Sequence, residues 1–307
     1  MDGIKLFALS KSKGLGLEIA SQLNLPLSNC STLHFADGET MIDFSESVRG
    51  QNVFLVQSTS RPVDLSYMEL FIAIDALKRA SAKTINIIMP YCGYSRQDRK
   101  KKPREPITAR LVADLLITSG ANYLLSIDLH VLQIQGFYSI PMDNVSAIGV
   151  IAEYFLTKKL NDIVVVSPDH NGIDRARNLA EALGVSIAII DKRREAPNVS
   201  EALALIGDVR NKNVIIVDDL IDTGGTVINA CNMLKAFQSK DIYVACTHAV
   251  FSNDAEDRLA NSCAKEIIVT NTIDFTPKTD KIKVLSIAPL IAKVMEKIIS
   301  EKSINDL

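Results

Sequence analysis

The sequence predicts an α/β fold built on mainly parallel sheets, and three observations carry that reading. Short β-branched runs alternate with longer amphipathic stretches along the chain. A length of 307 residues with 47% hydrophobic content suits two ordinary domains, each with its own packed core. Two strand-rich halves of similar length follow one another, with a boundary region around residues 141–146.

The chain opens on a strand, and further buried strands are predicted over 52–57, 84–90, 122–128, 162–167, 185–191, 213–218 and 242–247. The runs Val53-Phe54-Leu55-Val56, Ile163-Val164-Val165-Val166 and Val214-Ile215-Ile216-Val217 are the most explicit of these. Between them, 65–80, 108–118, 148–157, 173–182 and 226–236 read as helices. The expected domains are 1–145 and 146–307, and the similar element order of the halves hints at a duplication.

Composition excludes several function classes. A formal net charge of −2 and a pI near 6.1 give no global field toward nucleic acid or anionic lipid, so any anion site must be local. Cys30, Cys92, Cys231, Cys246 and Cys263 form no CxxC pair and are odd in number, which suits reduced thiols in a reducing compartment. The apolar stretch at the N-terminus is too short for a signal segment, and no run reaches the roughly 18 apolar residues of a membrane span. A cytoplasmic location with no membrane partner is the expectation.

The sharpest motif is Val214-Ile215-Ile216-Val217-Asp218-Asp219-Leu220-Ile221-Asp222-Thr223-Gly224-Gly225-Thr226. Ligands of open α/β sheets bind beyond the carboxyl ends of strands, where Asp218 and Asp219 can accept hydrogen bonds from vicinal sugar hydroxyls. Gly224 and Gly225 allow close backbone approach, Thr223 and Thr226 add hydroxyl donors, and the following helix offers its positive end. These parts make a cradle for a phosphomonoester beside a ribose. The competing reading is a tight strand-to-helix turn with an Asp or Thr cap.

This run resembles the signature of phosphoribosyl-diphosphate-binding proteins. Phe35-Ala36-Asp37-Gly38-Glu39, Tyr91-Cys92-Gly93-Tyr94-Ser95-Arg96-Gln97-Asp98-Arg99-Lys100, Arg104-Glu105-Pro106-Ile107-Thr108, Asp128-Leu129-His130, Gln133-Ile134-Gln135-Gly136-Phe137, Ser167-Pro168-Asp169-His170 and Asp191-Lys192-Arg193-Arg194 resemble, in order, the blocks of ribose-phosphate diphosphokinases. The resemblance covers nearly the whole chain. It implies two similar phosphoribosyltransferase-like domains, each a mainly parallel sheet flanked by helices, with the C-terminal helix crossing back to the first. It also implies transfer of the β,γ-diphosphate of ATP to the C1 hydroxyl of ribose 5-phosphate, releasing AMP, for nucleotide biosynthesis.

Such a transfer requires alignment and neutralisation of spreading negative charge. The resemblance assigns Lys192 and Arg194 to transition-state stabilisation, from what reads as a mobile loop just after the strand ending at Asp191; a solvated cluster with Glu195 is the alternative. It assigns Mg²⁺ to His130 and Asp169, each just past a predicted strand, although a lone His there is more often structural. His170 reads as a supporting or helix-start group. ATP recognition falls to Arg96, Gln97 and Arg99, with Phe35, Asp37, Gly38 and Glu39 at the adenine. Asp218, Asp219, Asp222, Thr223, Gly224, Gly225 and Thr226, joined by Arg194, would hold ribose 5-phosphate. A neighbouring subunit completes the adenine pocket in that family, which implies a homo-oligomer, commonly a hexamer.

The chain departs from the family pattern at Val131-Leu132, at Asn171-Gly172 and at Lys101-Lys102-Pro103. Its end, Ser303-Ile304-Asn305-Asp306-Leu307, resembles a shortened form of a tail that helps form the family's phosphate-activator and ADP-inhibitor site. Ser47, Arg49, Arg79 and Ser81 match other parts of that site. Intact catalysis with altered or weak phosphate and ADP regulation is therefore expected. A phosphoribosyltransferase would not need the ATP-side blocks, a non-catalytic regulatory relative would show damage at the charged loop or metal residues, and a DNA-binding repressor would need a helix-turn-helix extension.

Overall fold

A computed structural model describes residues 3–193 and 202–304. In chain order the elements are β1 (Ile4–Ala8), α1 (Lys13–Leu23), β2 (Cys30–His34), β3 (Thr40–Phe44), β4 (Asn52–Val56), α2 (Val63–Arg79), β5 (Thr84–Met89), α3 (Thr108–Ser119), β6 (Tyr123–Ile127) and β7 (Met142–Val145). There follow α4 (Ile148–Lys158), β8 (Ile163–Ser167), α5 (Ile173–Leu183), β9 (Ser186–Arg193), β10 (Ala202–Ile206), β11 (Asn213–Ile221), α6 (Gly225–Ala236), β12 (Ile242–Ala249), α7 (Ala255–Ala260), β13 (Glu266–Thr270), β14 (Ile282–Leu285) and α8 (Ala288–Ile299). The chain divides into two compact units. The first comprises Met1–Ser146, Thr272–Asp274 and Ser286–Leu307, and the second Ala147–Asn271 and Phe275–Leu285.

In the first unit, five parallel strands run in the order β1-β4-β5-β6-β7. Parallel strands need long crossovers, and helices on the faces make both sides of each strand apolar. The β4 run Val53-Phe54-Leu55-Val56 is accordingly buried throughout. On α2, Leu70, Ala73, Ile74 and Leu77 recur at helical spacing and are fully buried, and α2 packs on that core together with Phe7, Leu55 and Ile87. The strands β2 and β3 form a separate antiparallel ribbon. The final helix α8 lies against α1 and buries Ile291, Val294 and Met295.

In the second unit, seven strands run in the order β10-β9-β8-β11-β12-β13-β14, and every pair except β9–β10 is parallel. Val164, Val165 and Val166 of β8 and the four residues 214–217 of β11 are inaccessible, so the central strands carry no chemistry in their interiors. No helix among the described residues is long and apolar enough to cross a membrane. All five cysteines are free thiols.

The α/β class with mainly parallel sheets flanked by helices is what the structure shows, and each strand and helix read from the sequence is present. Three strands run further than expected, and β12 is one of them, ending at Ala249 rather than 247. The strand β11 continues past Asp218 to Ile221, because Leu220 and Ile221 pair with His248 and Ala249 of β12. The strand β9 continues past Asp191 to Arg193, because β10 returns antiparallel beside it and pairs Leu203 with Lys192. Lys192 thus belongs to a strand end rather than to a loop.

Close approach of α1 to β1 depends on Gly16, where an added Cβ would overlap the Cβ of Ala8. Gly16→Ala is expected to lower unfolding stability by about 1–3 kcal/mol through overpacking. The double variant Ala8→Gly/Gly16→Ala should recover part of that loss, measured by denaturant unfolding of all three variants.

Candidate active site

In the second unit, β11 delivers the acids and the turn before α6 delivers the cradle. Gly224 has φ of +76° and is buried, with an added Cβ only 3.3 Å from Leu259 Cγ, so the turn needs glycine on both counts. Gly225 opens the 12-residue helix α6, whose first backbone N–H groups project into the turn formed by Thr223 and Gly224. The carbonyl of Thr223 accepts a hydrogen bond from Arg258 Nη1 at 3.1 Å, and the Asp222 carbonyl accepts one from Ser252 N at 3.1 Å. The strand side of the turn is thereby fixed from α7 and the segment before it. This arrangement can receive a dianion on backbone N–H groups and threonine hydroxyls.

The paired acids stand within the extended part of β11. Asp219 N donates to Asp218 Oδ1 at 2.9 Å, and Arg175 of α5 brings Nη1 to 3.7 Å from Asp218 Oδ1 and 3.6 Å from Asp219 Oδ1. All three side chains are at most 20% exposed. Burial pushes the Asp218 carboxyl well above its ordinary range, and the neighbouring Asp219 adds to the rise, while Arg175 opposes it. Arg175 was not legible as a site residue in the sequence. The signal that finds it is positional: it lies on the first turn of the helix that follows the Asp169 loop.

Asp169 caps that same helix entry. Its Oδ1 accepts hydrogen bonds from Asn171 N at 2.9 Å and Gly172 N at 3.1 Å, and its carbonyl accepts one from Ser167 Oγ at 2.6 Å. The carboxylate is thereby oriented through one oxygen, and Oδ2 has no protein partner among the described residues. A hard cation that keeps its waters fits such a ligand. No cluster of three or more His, Cys, Asp or Glu side chains suited to a metal occurs among the described residues. His170 Nε2 lies 2.7 Å from Asp191 Oδ1 at the end of β9, which ties the Asp169 loop to the strand bearing Lys192. Arg194 lies outside the described residues.

In the first unit, residues 35–39 form the tip of the β2–β3 ribbon. Phe35 N donates to the Glu39 carbonyl at 2.9 Å, Gly38 N to the Phe35 carbonyl at 2.9 Å, and Glu39 N to Asp37 Oδ1 at 3.1 Å. Gly38 adopts φ of +95°, which this reversal requires. The Phe35 ring is 55% exposed, an open apolar face beside two exposed carboxylates. Gln97 stands at the start of α3, its Oε1 accepting from Thr108 Oγ1 at 2.5 Å and its carbonyl from Ala109 N at 3.2 Å. Arg96 and Arg99 are exposed on the same loop, and Glu105 holds its far end by accepting from Lys101 N and Lys102 N at 2.8 and 2.9 Å. His130 is exposed two residues beyond Asp128, whose N–H donates to the Val145 carbonyl at 3.0 Å. Among the candidate regulatory residues, Arg49 Nη1 donates to Ser81 Oγ at 3.1 Å, whereas Arg79 is paired with Asp75 of its own helix at 2.6 Å.

The profile described as "N-terminal domain of ribose phosphate pyrophosphokinase" matches residues 4–120, and that described as "Phosphoribosyl synthetase-associated domain" matches residues 193–307. A ribose-phosphate pyrophosphokinase of Bacillus caldolyticus is 51% identical over 306 residues, covering 99% of this chain and 97% of its own. The chain belongs to the ribose-phosphate pyrophosphokinase family. A Bacillus subtilis member is 48% identical over 306 residues, covering 99% of this chain and 96% of its own. The crystal structure of phosphoribosylpyrophosphate synthetase from Mycobacterium smegmatis superimposes with a TM-score of 0.92 at 42% identity, covering 98% of this chain and all of that one. As a family member the chain is an enzyme, a diphosphate-transferring kinase of nucleotide biosynthesis, and neither the phosphoribosyltransferase nor the regulatory reading is favoured.

The raised Asp218 carboxyl has a stability consequence whose sign is fixed. The folded state keeps a proton that the unfolded state releases near the ordinary value of 3.8, so stability falls as pH rises from there toward the folded-state value. Asp218→Asn removes this loss. Its melting temperature relative to the parent protein should rise as pH increases above about 3.8, measured by thermal unfolding of both proteins across a pH series.

Proposed function

We propose that this enzyme binds ATP through residues of the first unit and ribose 5-phosphate through residues of the second, and that the oriented cradle of residues 222–226 beside Asp218 and Asp219 carries this reading. The cradle takes the 5-phosphate, with its anionic oxygens on the backbone N–H groups of α6 and on the hydroxyls of Thr223 and Thr226. Asp218 and Asp219 accept hydrogen bonds from the ribose hydroxyls, held in place by Arg175. The sugar is thereby fixed with its anomeric hydroxyl available for attack on the β-phosphorus of ATP. Family resemblance adds Arg194 as a further ligand of the sugar phosphate.

Phe35 offers an apolar face to adenine, Asp37 and Glu39 accept from its amino group, and Gly38 permits the turn that presents them. Arg96, Gln97 and Arg99 bind the nucleotide at the entry to α3. Lys192, with Arg194, neutralises charge that spreads over the transferring group, the role that makes cations at this strand end productive. Mg²⁺ is the fitting cofactor: Asp169 would hold it through an oriented carboxylate oxygen, and when bound it would neutralise phosphate charge; His130 is a candidate ligand on family resemblance alone. The protein works in the cytoplasm as a homo-oligomer, a hexamer on family grounds. Support for the oligomer includes Leu33 and Met41, both exposed on the ribbon.

Two measurements test these assignments. AMP should form in step with phosphoribosyl diphosphate from ATP, ribose 5-phosphate and Mg²⁺, and Lys192→Ala should reduce the rate at least ~10²-fold without loss of ATP binding. A folded, ATP-binding protein that releases no AMP would overturn the reading. Phosphate should activate weakly and ADP should inhibit without strong cooperativity, because the tail at Ser303-Ile304 departs from the family pattern. A sigmoidal phosphate response of full amplitude would sink that expectation.

A further inference from the structure

Glu69 is a carboxylate in the middle of α2, only 4% exposed, yet it pairs with no cation among the described residues. Its Oε1 accepts from Ser10 N at 3.1 Å and Thr32 Oγ1 at 2.5 Å, and its Oε2 accepts from Ser10 Oγ at 2.6 Å and Gln57 Nε2 at 2.7 Å. Four donors satisfy the four acceptor sites of an ionised carboxylate, and hydrogen bonds to a charged acceptor are the strong ones. Three of the donors belong to the loops that follow β1 and β4. The fourth, Thr32, belongs to the ribbon.

That ribbon has no backbone pairing with the five-stranded sheet, and a two-stranded ribbon is marginal by itself. Its far end is seated by apolar packing, with Phe44 edge-on to Phe7 at 4.9 Å and Cys30 Sγ 3.4 Å from the Ala8 carbonyl. Toward the tip, Thr32 faces Ile42, and its hydroxyl bond to Glu69 is the last hydrogen bond from the ribbon to the rest of the unit among the described residues. Beyond it, three residues along, begins the turn at Phe35.

We propose that Glu69 is a positioning residue for nucleotide binding, which fixes the height and tilt of the ribbon tip through Thr32. The inference rests on the reading of residues 35–39 as the adenine-binding turn. It requires that loosening the tie weaken ATP binding and leave the sugar phosphate untouched. Thr32→Val keeps the shape of the side chain and removes only the hydroxyl, and Thr32→Ser restores it. Glu69→Gln keeps the shape of the helix residue and turns one acceptor into a donor aimed at other donors.

Steady-state kinetics of the full chain test the proposal, with melting temperature as the check that each variant is folded. Thr32→Val should raise KM for ATP about 5- to 10-fold, somewhat less than the full worth of one charge-assisted hydrogen bond, with KM for ribose 5-phosphate unchanged. Glu69→Gln should move it further in the same direction, and Thr32→Ser should return it to within about 2-fold of the parent. A Thr32→Val protein with a lower melting temperature but an unchanged KM for ATP would show a purely structural tie and overturn the inference. Equal rises in both KM values would do the same. Phe35→Ala in parallel separates the two levels: if it raises KM for ATP while Thr32→Val does not, only the positioning role fails, and if neither does, the adenine-binding reading of the turn fails as well.

Discussion

Parallel pairing is the constraint on which the rest of this molecule depends. In a parallel sheet every strand ends on the same edge, and strands covered on both faces must be apolar through their length. The residues 164–166 of β8 and 214–217 of β11 meet that demand and leave polar chemistry only at the strand ends. Asp169 follows β8, Lys192 closes β9, and Asp218 and Asp219 stand late in β11, all on the carboxyl edge of one sheet. The first unit obeys the same rule, with Gln57 after β4 and His130 after β6.

Those edges are where buried carboxylates become unavoidable, and the chain treats them in two ways. Asp218 and Asp219 share one cation, Arg175, at 3.7 and 3.6 Å, and Asp218 Oδ1 also accepts from Asp219 N at 2.9 Å. Burying two neighbouring carboxylates costs stability, and burial accordingly pushes the Asp218 carboxyl upward. Glu69 is instead fully satisfied by neutral donors and joins three segments into one rigid seat. The first arrangement sets two carboxylates against one guanidinium late in a strand. The second fills all four acceptor sites of its carboxylate with neutral donors, which marks it as scaffolding for what lies beside it.

The cations follow a complementary pattern. Arg96 and Arg99 are exposed on a loop whose ends are pinned by Gln97 and Glu105, and Arg258 is spent on the backbone of the phosphate turn. Exposed ion pairs contribute little to stability, so positive charge on such loops does little to hold the fold. Placement of the loops, by contrast, rests on short hydrogen bonds to main chain and on helix starts.

The sequence by itself determined the alternation of strands and helices, the parallel character of the sheets and the motif at residues 214–226, because apolar periodicity and turn chemistry are local properties. The strand and helix runs read from it all appear, with ends shifted by a few residues. It also supplied the ATP-side motifs and the metal candidates, through resemblance rather than geometry. Only the tertiary structure decided that β9 reaches Arg193 and β11 reaches Ile221, since strand ends are set by the neighbour that pairs with them. The same holds for the β2–β3 ribbon, whose residues alternate between half-buried and exposed and form no apolar run. Arg175 and Glu69 were silent in the sequence as charged residues on helices. Their meaning comes from partners more than ten positions away, and such proximity is a property of packing that no local pattern encodes.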